Sequence, residues 1–164
     1  MSIVSSDPSV SDPPGFELPL RLFMAFRVLI DDLHSELARQ GHPDVRPMHG
    51  YVFQAIGPHG TTAADLGRRL GVSKQAAGKT IDTLERLGYV ERGTDPRDAR
   101  RKTVRLTARG TDCLARSAHI FDRLRTDWAR TLGEDRLRAL ETDLRTMTPA
   151  DPFLLDVPGW FGNS

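Results

Sequence analysis

Residues 61–110, TTAADLGRRLGVSKQAAGKTIDTLERLGYVERGTDPRDARRKTVRLTARG, run two short helix-like segments, a glycine turn and a strand-turn-strand pattern together without a break. Helices of that length are marginal alone, so they must pack on each other and on the small sheet beside them. Thr62 is placed to cap the first helix. Asp65 stands three residues on, so a hydroxyl and a carboxylate meet the free N–H groups at the positive helix end. Ala63, Leu66 and Leu70 share one face, and Gly71 permits the left-handed conformation that stops the helix. Ser73 caps the next helix, which turns Ala77, Ile81 and Leu84 to the core and ends at Gly88.

The opposite face of that second helix carries Lys74, Gln75, Gly78, Lys79 and Asp82. A lysine in a first helical turn works against the macrodipole, which an external phosphate would reverse. Gly78 costs roughly 1 kcal/mol against Ala inside a helix, which suggests a close approach from outside. Helix pairs that only pack, with lysines that only solubilise, are also common, so the pair alone leaves both readings open.

The hairpin moves the balance. Residues 89–92 and 103–106 are β-prone, with Val104 and Leu106 alternating against Thr103 and Arg105 as in a half-buried strand. Between them lies DPRDARRK. Asp95-Pro96 is turn chemistry, so Arg97, Arg100, Arg101 and Lys102 are expected at or beside a protruding tip, with Asp98 steadying one of the arginines. Guanidinium groups on a thin projection suit a minor groove, and a helix alongside suits the major groove. Charge is placed to match. From Leu66 to Arg109 there are 12 Lys and Arg against 5 Asp and Glu, a local +7, while the whole chain is +1 and the remainder therefore −6. Such asymmetry concentrates phosphate attraction on one lobe.

This order of elements resembles the MarR family of winged-helix transcription regulators, above all in its LxxLxxxGYVxRxxDPxDxRxxxVxLTxxG wing signature. The likeness covers roughly residues 16–147 and is strongest over 66–110. It implies a fold that is mainly α with a small β-hairpin wing (α+β), an obligate homodimer, a recognition helix at 73–87 and a wing at 89–106. It also implies that Arg100 contacts DNA with Asp98 bracing it, Arg97 being a second candidate. The expected DNA-contacting set is Arg68, Arg69, Ser73, Lys74, Gln75, Gly78, Lys79, Arg97, Asp98, Arg100 and Arg101. Within it Lys74, Gln75 and Lys79 would enter the major groove, Gln75 able to bond adenine bidentately, while Arg68 or Arg69 meets phosphates.

The flanks suggest an assembly lobe. Leu22, Phe23, Phe26, Leu29, Ile30, Leu33 and Leu37 make a broad stripe on a helix that Gly41 and Pro43 end. Leu114, Ala118, Phe121, Leu124, Trp128 and Leu132 step by three or four, and a second set follows Gly133 at Leu137, Leu140, Leu144 and Met147. The expected organisation is a tail at 1–15 rich in Ser, Pro and Asp and disordered, a helical dimerisation lobe from 16–42 and 111–147, a winged helix-turn-helix domain at 43–110, and an apolar tail at 148–164 docking on the dimer. Two-fold symmetry would set the recognition helices about 34 to 36 Å apart on an inverted repeat.

The resemblance further implies that a small, often aromatic or phenolic, anion acts as effector in a cleft between the dimer lobe and the winged lobe. Arg27, Ile30, His34, Met48, His49, Tyr51 and Val52 would line it, although each is also explicable as core or surface. An isolated histidine on a helix is more often satisfied or solvated than a ligand, so no metal is expected at His34, His49 or His119. The peroxide-sensing branch of the family keeps its cysteine in the first helix, where this chain has none. Cys113, the one cysteine, is expected near the start of the long carboxy-terminal helix as a small buried residue, with an oxidant-sensing role as the alternative.

Other classes find little support. HExxH, CxxC, P-loop and GxSxG patterns are absent, and the adjacent Asp31 and Asp32 point about 100° apart on a helix, so neither an enzyme nor a cofactor is expected. GPHG at 57–60 reads as a plain turn. No apolar run approaches the roughly 18 residues of a membrane span and no signal peptide is apparent, which makes cytoplasm the expected compartment. An architectural or protein-binding winged helix without an effector is the alternative within the same fold.

Overall fold

The computed structural model describes residues 12–155, and the expectations for 1–11 and 156–164 fall outside the described residues. In chain order it has α1 (Glu17–Arg39), α2 (Pro47–Ile56), α3 (Ala63–Leu70), α4 (Lys74–Arg86), β1 (Val90–Asp95), β2 (Asp98–Leu106), α5 (Ala108–Leu132), α6 (Glu134–Met147) and a 3-10 turn at Pro152–Leu155. The helix ends follow local chemistry. Thr62 Oγ1 accepts from the Asp65 amide at 3.1 Å and Ser73 Oγ from the Ala76 amide at 3.0 Å, each satisfying a donor at a helix start. Gly71 closes α3 in the left-handed region, at φ +68.

The strands exceed the expected 89–92 and 103–106. Pairing continues through Thr94↔Lys102 to an irregularity at Asp95, so Arg100, Arg101 and Lys102 belong to β2 rather than to a loop. Backbone hydrogen bonding does not depend on side-chain charge, and a two-stranded ribbon open to water accommodates charged side chains. At its base the ribbon gains a bridge from Thr61, which exchanges both backbone bonds with Val104 at 2.7 and 2.8 Å. Gly60 just before it has room for no side chain, since a Cβ would lie 2.7 Å from the Val104 carbonyl.

One core holds the winged lobe to the helical one. Phe53, Leu66, Ala77, Ile81, Leu84 and Tyr89 are fully buried, joined by Leu33 and Leu37 of α1 and by Cys113, Ile120 and Leu124 of α5. Tyr89, expected as the first strand residue of the wing, is instead a core side chain, packed against Phe53 at 5.4 Å between ring centres. A polar chain crosses this junction. His42 Nδ1 lies 3.1 Å from the Tyr89 hydroxyl and Nε2 2.9 Å from the Asp112 carboxylate, while Arg109 donates to Tyr89 and Arg116 to Asp112. The Tyr89 hydroxyl, accepting from Arg109, faces His42 Nδ1, and the Nε2 edge of the same ring faces the Asp112 carboxylate, while the buried Nε of Arg109 has no hydrogen-bond partner. His42 is buried, and nothing local in the sequence singled it out.

The first half of α1 packs on little of this chain. Phe16, Leu18, Leu22, Phe23, Met24, Phe26 and Val28 are exposed, as are Phe121, Leu140, Leu144 and Met147 on α5 and α6. An apolar hollow of about 340 Å³ lies among them, lined by Leu29, Phe121, Trp128, Leu137, Leu140 and Leu144. Single exposed apolar residues are ordinary, but this many on α1, α5 and α6 make those faces a candidate interaction surface.

Candidate nucleic-acid interface

The exposed side of α4 and the turn of the hairpin carry the site. Lys74, Gln75 and Lys79 are solvent-exposed on α4. Gly78 between them faces open space, with nothing within 4 Å of a built Cβ. Gly78→Ala should therefore raise the stability of the free protein by about 0.5 to 1 kcal/mol, read as a higher melting temperature. Weaker DNA binding by the same variant would show that a ligand, not the fold, requires the glycine; a destabilised variant would contradict the open geometry.

Hairpin arginines divide into paired and unpaired. The side chains of Arg97 and Arg100 have no ion-pair partner among the described residues. Arg101 turns back instead, reaching Asp65 at 3.3 Å and Asp95 at 3.9 Å, and ties β2 to α3. The brace expected from Asp98 is a backbone one. Its Oδ1 accepts from the Arg100 amide at 3.0 Å, as Asp95 Oδ1 does from the Arg97 amide at 2.9 Å. Two Asx turns thus shape the tip and leave both guanidinium groups unspent.

On α3, Arg68 pairs with Asp65, whereas Arg69 lies over the ring of Phe153 at 4.4 Å. The hydroxyl of Thr62, with Arg68 and Arg101 beside it, holds the Asp65 carboxyl below the usual carboxylate range. Lower on the hairpin, Arg92 bridges Asp82 and Glu85 of α4, and Arg105 pairs with Glu91. The Arg92 pairs fix the wing against α4, and the Arg105–Glu91 pair ties its two strands together. Within this lobe, Lys74 and Lys79 on α4 and Arg97, Arg100 and Lys102 on the hairpin have no ion-pair partner among the described residues.

The expected effector cleft is partly assembled. Arg27, Ile30, Met48 and Tyr51 line a cavity of about 500 Å³ together with Phe23, Phe26, Asp31 and Pro47. Val52 is core, and His34 and His49 are absent from the lining. His34 Nδ1 lies 2.8 Å from the Ile30 carbonyl, and His49 Nδ1 accepts from the Arg46 amide at 3.1 Å. Burial, with Arg46 and His34 nearby, pushes the His49 imidazole below its ordinary value and keeps it neutral. Arg27 pairs with Asp31 at 2.8 Å, both side chains being more than half exposed.

Cys113 lies in the second turn of α5, because that helix begins at Ala108, capped by Thr107, and not at 111. It is buried, and burial pushes its thiol up, opposite to the shift that a reactive cysteine needs. Among the described residues no group of His, Cys, Asp and Glu is placed to hold a metal, and no helix is long and apolar enough to cross a membrane.

Comparison with known proteins places this geometry. Residues 44–101 match the model of the MarR family. An uncharacterized HTH-type transcriptional regulator of Bacillus subtilis, YcgE, is 38% identical over 53 residues, which span 32% of this chain and 33% of that protein. The chain thus matches about a third of that relative's length. Among solved structures, Streptococcus pneumoniae FabT in complex with DNA superposes with a TM-score of 0.67 at 17% identity, covering 80% of this chain and 93% of that one. The S. aureus MepR–DNA complex gives 0.63 at 21% identity, over 80% and 96%. Apo MarR from E. coli gives 0.61 at 24% identity, over 80% and 97%. The fold shared with them is a helical protein bearing a winged helix.

Proposed function

We propose that this chain, whose residues 44–101 match the model of the MarR family, is a sequence-specific DNA-binding transcriptional regulator acting as a homodimer on an inverted repeat. The observation that carries this reading is the distribution of unpaired cations. Arginines near the hairpin base are spent on carboxylates, while Arg97 and Arg100 at the turn, and Lys74 and Lys79 on the open face of α4, are left for phosphates and base edges. Gln75 is the residue for adenine in the major groove, and Arg97 and Arg100 enter the minor groove. Arg68, Arg69 and Ser73 lie beside the backbone, and Arg101, tied to Asp65, fixes the hairpin's angle.

Arg100→Ala is expected to weaken binding and to flatten the dependence of log affinity on log salt by about one unit, measured by gel shift over a salt series. A variant with unchanged slope and affinity would reject the assignment. In the proposed cycle the protein represses, and a small aromatic effector in the cavity beside Tyr51 releases it.

A further inference from the structure

Beyond α6 the chain turns back onto its own winged lobe. Tyr51 on α2 donates its hydroxyl hydrogen to the Pro152 carbonyl at 2.9 Å and stacks on Phe153 at 4.7 Å between ring centres. Asp151 Oδ1 accepts from the Phe153 amide at 2.9 Å and fixes the backbone of the turn. The Phe153 ring in turn carries Arg69, in the last turn of α3, directly before the turn that starts α4. The described part of the tail, at Pro152 and Phe153, lies against α2 and α3.

The manner of holding Arg69 matters. Arg68 and Arg101 are both partly neutralised by Asp65, whereas Arg69 has no ion-pair partner among the described residues. A guanidinium lying on an aromatic face keeps its in-plane N–H donors while its long side chain is restrained. Of the two arginines that end α3, Arg69 is the one presented ready for a phosphate.

We infer that Phe153 is a positioning residue for DNA binding, holding Arg69 by ring stacking so that its guanidinium edge meets a backbone phosphate beside the start of α4. This rests on the DNA-binding reading above and adds a role for the segment after α6. Tyr51 belongs to the same device, because it anchors the turn and also lines the cavity, so a ligand that moves Tyr51 loosens the hold on Arg69.

The test is a double-substitution cycle on the full chain. Fluorescence anisotropy would follow a labelled mixed-sequence duplex across a potassium chloride series, with thermal melts checking that each variant folds. Arg69→Ala should reduce the salt slope by about one unit. Phe153→Ala should show part of the same loss, Phe153→Trp should bind like the unsubstituted protein, and the double alanine variant should match Arg69→Ala alone, because the ring acts only through the guanidinium. Additive losses would show that the turn merely supports the lobe, and would overturn the inference. Binding by Phe153→Ala as tight as that of the unsubstituted protein, or tighter, would overturn it too, the latter by showing that the ring withholds Arg69. An unsubstituted protein that ignores the duplex removes the DNA reading and this inference together; normal binding with an unaffected Phe153→Ala removes this inference alone.

Discussion

Replacing Gly110 by alanine is expected to lower the melting temperature by about 10 °C, the consequence of roughly 3 kcal/mol lost in a protein of this size. A Cβ at this position would lie 2.3 Å from the Tyr89 carbonyl oxygen and 3.3 Å from Leu106 Cδ2. Both sides of the clash are constrained. The Tyr89 carbonyl accepts from the Thr107 amide at 3.0 Å, and the Thr107 hydroxyl donates to the Gly88 carbonyl at 2.6 Å while capping α5. Relief requires the first turn of α5 to lift from the α4–β1 turn, which breaks those bonds and strains the neighbouring His42, Tyr89 and Asp112 contacts. Leaving such buried polar groups unpaired adds to the cost. The measurement is differential scanning calorimetry of the variant beside Gly78→Ala, whose added methyl meets nothing. A Gly110→Ala protein that melts with the parent would contradict the close approach.

The second large effect concerns assembly. Leu22→Glu combined with Leu144→Glu is expected to convert the proposed dimer into a monomer and to weaken binding to a two-half-site duplex by at least about a hundredfold, since the linked second half-site contact is lost. Both residues are exposed in the isolated chain, so the carboxylates cost the monomer little; in a dimer each would be buried without a partner. Sedimentation velocity would report the mass and anisotropy the affinity. A parent protein that sediments as a monomer, or a variant that remains dimeric and binds as before, would contradict the assignment of these faces.

Local chemistry was the legible part of the fold. The caps at Thr62 and Ser73, the stop at Gly71 and the helical spacing of Leu66, Leu70, Ala77, Ile81 and Leu84 all involve neighbours within a few residues, and each stands as expected. The LTxxG end of the wing signature also has a physical basis: Thr107 caps α5 and only glycine fits at 110. Partner choice among charges was not legible. Composition showed that arginines crowd the hairpin, but whether Arg101 reaches outward or back to Asp65, 36 residues away, depends on tertiary placement. His42 is hidden for the same reason, its partners lying 47 and 70 residues along the chain. Tyr89 looked like a strand residue because aromatic residues favour strands; burial against Phe53 decided its place instead. The cleft was legible only through resemblance, and its histidines were lost from it once their backbone partners were seen.

The central claim, that this is a dimeric reader of specific DNA, is tested most directly by selecting the purified protein's preferred duplexes from a randomised pool and footprinting the product. The account predicts enrichment of an inverted repeat whose half-sites are centred about one helical turn apart, with protection over both. Retention of the pool without enrichment, or protection of a single half-site, would contradict it.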